Sequence, residues 1–138
     1  LICNRCPLAK LIHTMIRVSD LDKSLQFYSD ALGLSVSHRL DFPDFSLVYL
    51  RNEHNDFEVE LTWNKSQDKP YTHGDGYGHI AVAVEDLDTE HKRITDLGMA
   101  PTPVKEFKRD DTLLARFFFM QDPDGYKIEV LQRGGHYV

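Results

Sequence analysis

The chain repeats itself, and no other feature limits its possible folds as strongly. Residues 12–22 read Ile-His-Thr-Met-Ile-Arg-Val-Ser-Asp-Leu-Asp, and residues 78–88 read Gly-His-Ile-Ala-Val-Ala-Val-Glu-Asp-Leu-Asp. His13 falls on His79, Val18 on Val84, and the two Asp-Leu-Asp triplets coincide. Asp30-Ala31-Leu32-Gly33 then corresponds to Asp96-Leu97-Gly98 with one residue dropped, and Phe57-Glu58-Val59-Glu60-Leu61 to Tyr126-Lys127-Ile128-Glu129-Val130. Each half opens on a histidine segment and closes on a glutamate segment. Two copies of one supersecondary unit are therefore expected.

Local patterns define that unit. Residues 11–18 alternate and are rich in β-branched and apolar types, which predicts a strand. Ser19 or Asp20 can cap a helix whose apolar face is Leu21, Leu25, Tyr28 and Leu32, and Gly33 can end it in a left-handed conformation. Strands are expected over 34–40, 45–50 and 57–62. The second half predicts a strand over 79–84 and a helix carrying Leu87, Ile94 and Leu97, stopped by Gly98. Pro101 and Pro103 keep that helix from resuming. Further strands are expected near 102–107, 113–120 and 126–131, with Asp122-Pro123-Asp124-Gly125 as the turn between the last two. The fold class is α+β, two tandem βαβββ modules over 11–70 and 71–138 joined through the Gly-, Pro- and Asp-rich stretch 69–77. Residues 1–10 read as a peripheral extension. Their Cys3-x-x-Cys6 has no second pair beside it, a weak zinc signal.

Composition narrows the function. Of 138 residues, 41% are apolar and 28% charged, enough for a packed core and unlike a disordered chain. Apolar runs such as Ile80-Ala81-Val82-Ala83-Val84 and Phe117-Phe118-Phe119-Met120 are far short of the roughly 20 residues of a membrane helix. No signal-peptide pattern is present, so a cytoplasmic protein without a membrane partner is expected. A net charge of −6 disfavours nucleic acid as a partner. Arg17, Lys105, Lys108, Arg109 and Arg116 could still form a local anion site.

Strand alternation then isolates four residues. Phe57, Val59 and Leu61 point one way and leave Glu60 on the other face, and Tyr126, Ile128 and Val130 leave Glu129 likewise. A carboxylate repeated within an apolar strand demands a partner, because burying it unpaired is costly. If the halves pack with pseudo-two-fold symmetry, His13, Glu60, His79 and Glu129 converge. Two imidazoles and two carboxylates suit a divalent Ni, Co, Zn, Mn or Fe ion with room for water or substrate. His38, His54, His73 and His91 are expected in loops or on the polar side of a helix, and His136 in the tail, without repeated partners.

Four segments containing these residues, 11–18, 59–64, 77–81 and 122–129, resemble the bacterial glyoxalase I family of lactoylglutathione lyases, in the vicinal oxygen chelate superfamily. The resemblance runs from about Leu11 to Leu131. It implies a cup-shaped mixed sheet holding one octahedral metal through His13, Glu60, His79 and Glu129. It also implies a homodimer with its sites at the interface, His13 and Glu60 coming from one chain and His79 and Glu129 from the other. The family reaction converts the hemithioacetal of glutathione and methylglyoxal into S-lactoylglutathione through an enediolate. Glu129 matches the base that moves the proton, with Glu60 its pseudo-symmetric counterpart. Arg17 and Asn64 match positions that hold glutathione. The short chain length and His13 match the nickel group, with Co(II) or Zn(II) as alternatives.

The resemblance has one departure. Residues 105–111 stand where the family has a glycine-containing loop with a basic residue, so Lys105, Lys108 and Arg109 all remain candidates for the substrate. The alternatives are another metalloenzyme of the superfamily, an acyl-thioester epimerase or thiol transferase, and a metal-free protein that sequesters small molecules.

Overall fold

The computed structural model describes residues 7–138, so the Cys3 and Cys6 pair lies outside the described residues. The elements are β1 (His13–Arg17), α1 (Leu21–Leu32), β2 (Ser35–Asp41), β3 (Phe45–Arg51) and β4 (Glu58–Asn64), then β5 (Ile80–Val84), α2 (Leu87–Asp96), β6 (Lys105–Arg109), β7 (Thr112–Gln121) and β8 (Lys127–Gln132). The βαβββ unit occurs twice, as the repeat requires. Strand order is β1-β4-β3-β2 in one sheet and β5-β8-β7-β6 in the other. In each, the first and last strands of the module pair in parallel and the rest antiparallel. Among the described residues these are two separate four-stranded sheets, not one continuous sheet.

The helix ends follow from cap chemistry. Asp20, not Ser19, caps α1, its carboxylate accepting from the Lys23 N–H at 3.1 Å. Gly33, at φ +63°, closes α1 with hydrogen bonds from Gly33 and Leu34 back to Ser29 and Tyr28. Asp86 caps α2 in the same way through Thr89. The apolar side of α2 differs from expectation. Leu87 and Ile94 are buried, but Leu97 lies past the helix end and is 48% exposed. His91 fills the intervening place, its ring edge-on to Phe118 at 5.0 Å and Nε2 2.9 Å from the Thr102 carbonyl. A histidine satisfied in this way counts as packing.

Each sheet turns one face to its helix and leaves the other open. Ile16, Val48, Leu50, Val59 and Leu61 of the first sheet, with Phe118, Met120, Ile128 and Val130 of the second, form one buried cluster with Leu21, Tyr28, Leu87 and Ile94. The modules are joined on this side. The Tyr28 hydroxyl donates to buried Asp122 at 2.7 Å, the Ser19 hydroxyl donates to Asp124 at 2.6 Å, and Tyr126 donates to the Arg17 carbonyl at 2.9 Å. Burial raises the Asp122 pKa above the ordinary carboxylate range despite its hydrogen bonds from Tyr28 and the backbone. Arg93 of α2 adds two bonds to the Asp30 and Ala31 carbonyls at the end of α1. His73 also belongs to this joint, stacked on Tyr126 at 4.2 Å.

Among the described residues no helix is long and apolar enough to cross a membrane.

Candidate metal centre

On the open face of the first sheet, β1, β4 and β3 set Met15, Glu60 and Tyr49 side by side, because Met15 is in register with Glu60 and Glu60 with Tyr49. His13 stands two residues before Met15 and so shares that face. Its Nε2 is 3.5 Å from Glu60 Oε2. Glu60 is only 8% exposed, and its other oxygen accepts the Tyr49 hydroxyl at 2.6 Å. That bond, followed by burial, raises the Tyr49 pKa above the usual phenol value. The Tyr49 ring lies edge-on to His13, centroids 5.6 Å apart, and 5.9 Å from the ring of His38. His38 therefore sits in β2, in register with Tyr49, and not in a loop as expected.

The second sheet repeats the arrangement with different side chains. Ala81, Glu129 and Phe119 share a register across β5, β8 and β7. His79, one residue before β5, brings Nε2 to 3.6 Å from Glu129 Oε1. Phe119 lies edge-on to His79 with centroids 5.4 Å apart. Glu129 is held less tightly than Glu60: among the described residues no side chain donates a hydrogen bond to it.

The predicted substrate residues distribute unevenly. Arg17 is exposed on the His13 face, in register with Thr62, and makes no ion pair among the described residues. Asn64 ends β4 half-buried and donates weakly to the Tyr71 hydroxyl at 3.4 Å. Residues 105–111 are the first strand and the turn of a β-hairpin completed by β7, Arg109 opposite Thr112, with Asp110 in the left-handed region at φ +54°. Glu106 is in register with Arg116, which pairs with Asp88 of α2 at 2.9 Å and so marks the helix side. Lys108 pairs with Glu106 at 3.2 Å on that side. Lys105, in register with Phe117, is on the open face with Phe119 and Glu129. The geometry thus favours Lys105 over Lys108, and commits Arg116 to the helix.

Residues 10–130 match the model of the Glyoxalase/Bleomycin resistance protein/Dioxygenase superfamily. The chain belongs to this superfamily. Within it, the chain is 45% identical over 130 residues to a probable lactoylglutathione lyase of Synechocystis, covering 88% of this chain and 94% of that one. It is 38% identical over 128 residues to the lactoylglutathione lyase of Haemophilus influenzae, covering 89% and 92%. Among solved structures, glyoxalase I from Zea mays superposes with a TM-score of 0.80 at 32% identity, covering 91% of this chain. This chain spans 45% of the maize protein's length.

Superfamily membership makes a metal the first question for the His–Glu pairs, and their donor sets fit one. Two donors each about 2.1 Å from a shared ion lie about 3.0 Å apart at a right angle and about 3.4 Å at the tetrahedral angle. The observed 3.5 and 3.6 Å need a closure of only a few tenths of an ångström. The four residues nevertheless do not converge within one chain. Among the described residues no three His, Cys, Asp or Glu side chains lie close enough to hold one ion. The joint through Tyr28, Asp122 and Arg93 unites the helix sides of the modules and leaves one His–Glu pair on each open face.

Sequence reasoning missed Tyr49, although its signal was present. In Phe45-Ser46-Leu47-Val48-Tyr49-Leu50-Arg51 the buried residues are Ser46, Val48 and Leu50, which sends Tyr49 to the other face with Glu60.

Proposed function

We propose that this protein is a metal-dependent lactoylglutathione lyase that isomerises the glutathione–methylglyoxal hemithioacetal to S-lactoylglutathione. The supporting observation is the pair of matched half-sites, His13 with Glu60 and His79 with Glu129, in a chain whose close relatives carry that activity in their names. Each half-site offers one nitrogen and one carboxylate, so a complete four-ligand centre needs a second open face. A homodimer supplies it by placing the first module of one chain against the second module of its partner. Exposed Met15, Leu40, Phe107 and Leu113 on the sheets are apolar surface available for such an interface.

A divalent metal, with Ni(II) favoured over Co(II) and Zn(II), would be held by His13, Glu60, His79 and Glu129 and would supply Lewis-acid stabilisation of the negative charge that develops on the substrate oxygens. Glu129 takes the proton from C1 and returns it to C2, so the hydrogen changes carbon while the overall oxidation level of the substrate is unchanged. Arg17 pairs with a glutathione carboxylate through its guanidinium, and Asn64 and Lys105 hold other polar parts of the tripeptide. Phe117 and Leu131 share the open face with Glu129 and would limit access of water to it.

The deciding experiment uses metal-stripped protein reloaded separately with Ni(II), Co(II) and Zn(II), followed by turnover of preformed hemithioacetal. Turnover with Ni(II) or Co(II) and little with Zn(II) is expected. If no metal binds stoichiometrically, the reading is wrong. Arg17→Ala is expected to raise KM about 10- to 100-fold with kcat nearly unchanged, the scale of one lost charge-assisted contact. An unchanged KM would remove Arg17 from the binding site.

A further inference from the structure

The two half-sites differ in one atom that matters. Each has an aromatic ring in register with its glutamate and edge-on to its histidine, at 5.6 Å for Tyr49 on His13 and 5.4 Å for Phe119 on His79. Only the first ring has a hydroxyl, and that hydroxyl donates to Glu60 Oε1 at 2.6 Å. The oxygen left over, Oε2, is the one facing His13 Nε2. Glu60 thus has one oxygen tied to the sheet and the other turned toward its histidine. Glu129 turns Oε1 to His79 and has no second tie among the described residues. Its side chain is also more exposed, 18% against 11% for Glu60.

We propose that Tyr49 is a positioning residue that locks Glu60 as a fixed ligand and so reserves proton transfer for Glu129. The inference rests on the proposed metal-dependent reaction and adds the reason that two equivalent carboxylates take unequal roles. A carboxylate that shuttles a proton from C1 to C2 has to change its direction during turnover. For Glu60 that movement breaks a short, half-buried hydrogen bond to a charged acceptor, whereas Glu129 has none to break. Tyr49 does not touch the reacting carbons in this account. It acts through the orientation of Glu60.

Two reciprocal substitutions test this. Tyr49→Phe places in the first module the ring the second module already carries, so folding is expected to survive. The Ni(II) dissociation constant, measured by competition with a chromophoric chelator, is expected to rise about 10-fold, and the visible spectrum of the Co(II)-loaded protein to shift. Phe119→Tyr offers Glu129 the equivalent hydroxyl and is expected to lower kcat about 10-fold with KM unchanged and Ni(II) bound at least as tightly. A purely structural role for Tyr49 would leave the Co(II) spectrum and the Ni(II) affinity unmoved, and that result overturns the proposal. So does an undiminished kcat in Phe119→Tyr. If Tyr49→Phe fails to fold, Phe119→Tyr decides alone. Wild-type protein that binds Ni(II) without turning over the hemithioacetal refutes the proposed reaction, and with it the shuttle role, while the Tyr49→Phe affinity still tests the lock on Glu60.

Discussion

Glu129→Gln is expected to lower kcat by about 100- to 10,000-fold, the usual contribution of a positioned general base. Gln keeps a carbonyl oxygen in the place of Glu129 Oε1, 3.6 Å from His79, so it can still complete the ligand set. It cannot accept a proton at neutral pH. Ni(II) uptake should therefore persist while turnover collapses, and the two are measured on the same preparation by metal analysis and by initial rates. The separation matters because losing the metal alone would also abolish activity. A Gln variant that binds Ni(II) and turns over within about threefold of wild type would show that another group moves the proton. Glu60 would be the first to examine, followed by a water molecule.

Mixing His13→Ala with Glu129→Gln is expected to restore activity that neither variant has by itself. If each site combines the first module of one chain with the second module of its partner, both substitutions in a mixed dimer fall in the same site. The other site is then wild type throughout. With random reassortment half of the dimers are mixed, so activity should recover to about a quarter of wild type. Sites assembled within single chains would give no recovery, since every site would keep one defect. The subunits must exchange for the test to be valid, which is secured by mild denaturation and refolding of the mixture. The result discriminates because the described residues of one chain gather these side chains only as two His–Glu pairs.

The predictions draw on different amounts of sequence information. The βαβββ repeat was legible because its signals are local: alternation in the strands, Asp20 and Asp86 at helix starts, Gly33 and Gly98 at helix ends. His13, Glu60, His79 and Glu129 were singled out by the repeat and by strand alternation, but their meeting as two separate His–Glu pairs follows from the parallel pairing of first and last strands that the structure shows. Leu97 was misassigned for an equally local reason. Its spacing continues the apolar face of α2, but the helix stops one residue before it, and half-buried His91 packs on Phe118 instead.

What the sequence by itself determined is the duplicated unit and the residue types on each strand face, since these depend on neighbours a few positions apart. Only the tertiary structure decided which of those residues meet. The Tyr49 bond to Glu60 depends on the register of the β3–β4 pair, and the pairing of Lys108 with Glu106 on a hairpin that bulges between Phe107 and Lys108. The separation of the two half-sites depends on the contact between Tyr28 and Asp122, 94 residues apart, and on Arg93 reaching the end of α1. Contacts of that range leave no periodic trace in a sequence. They arise because buried polar groups must find partners wherever the packed core places them.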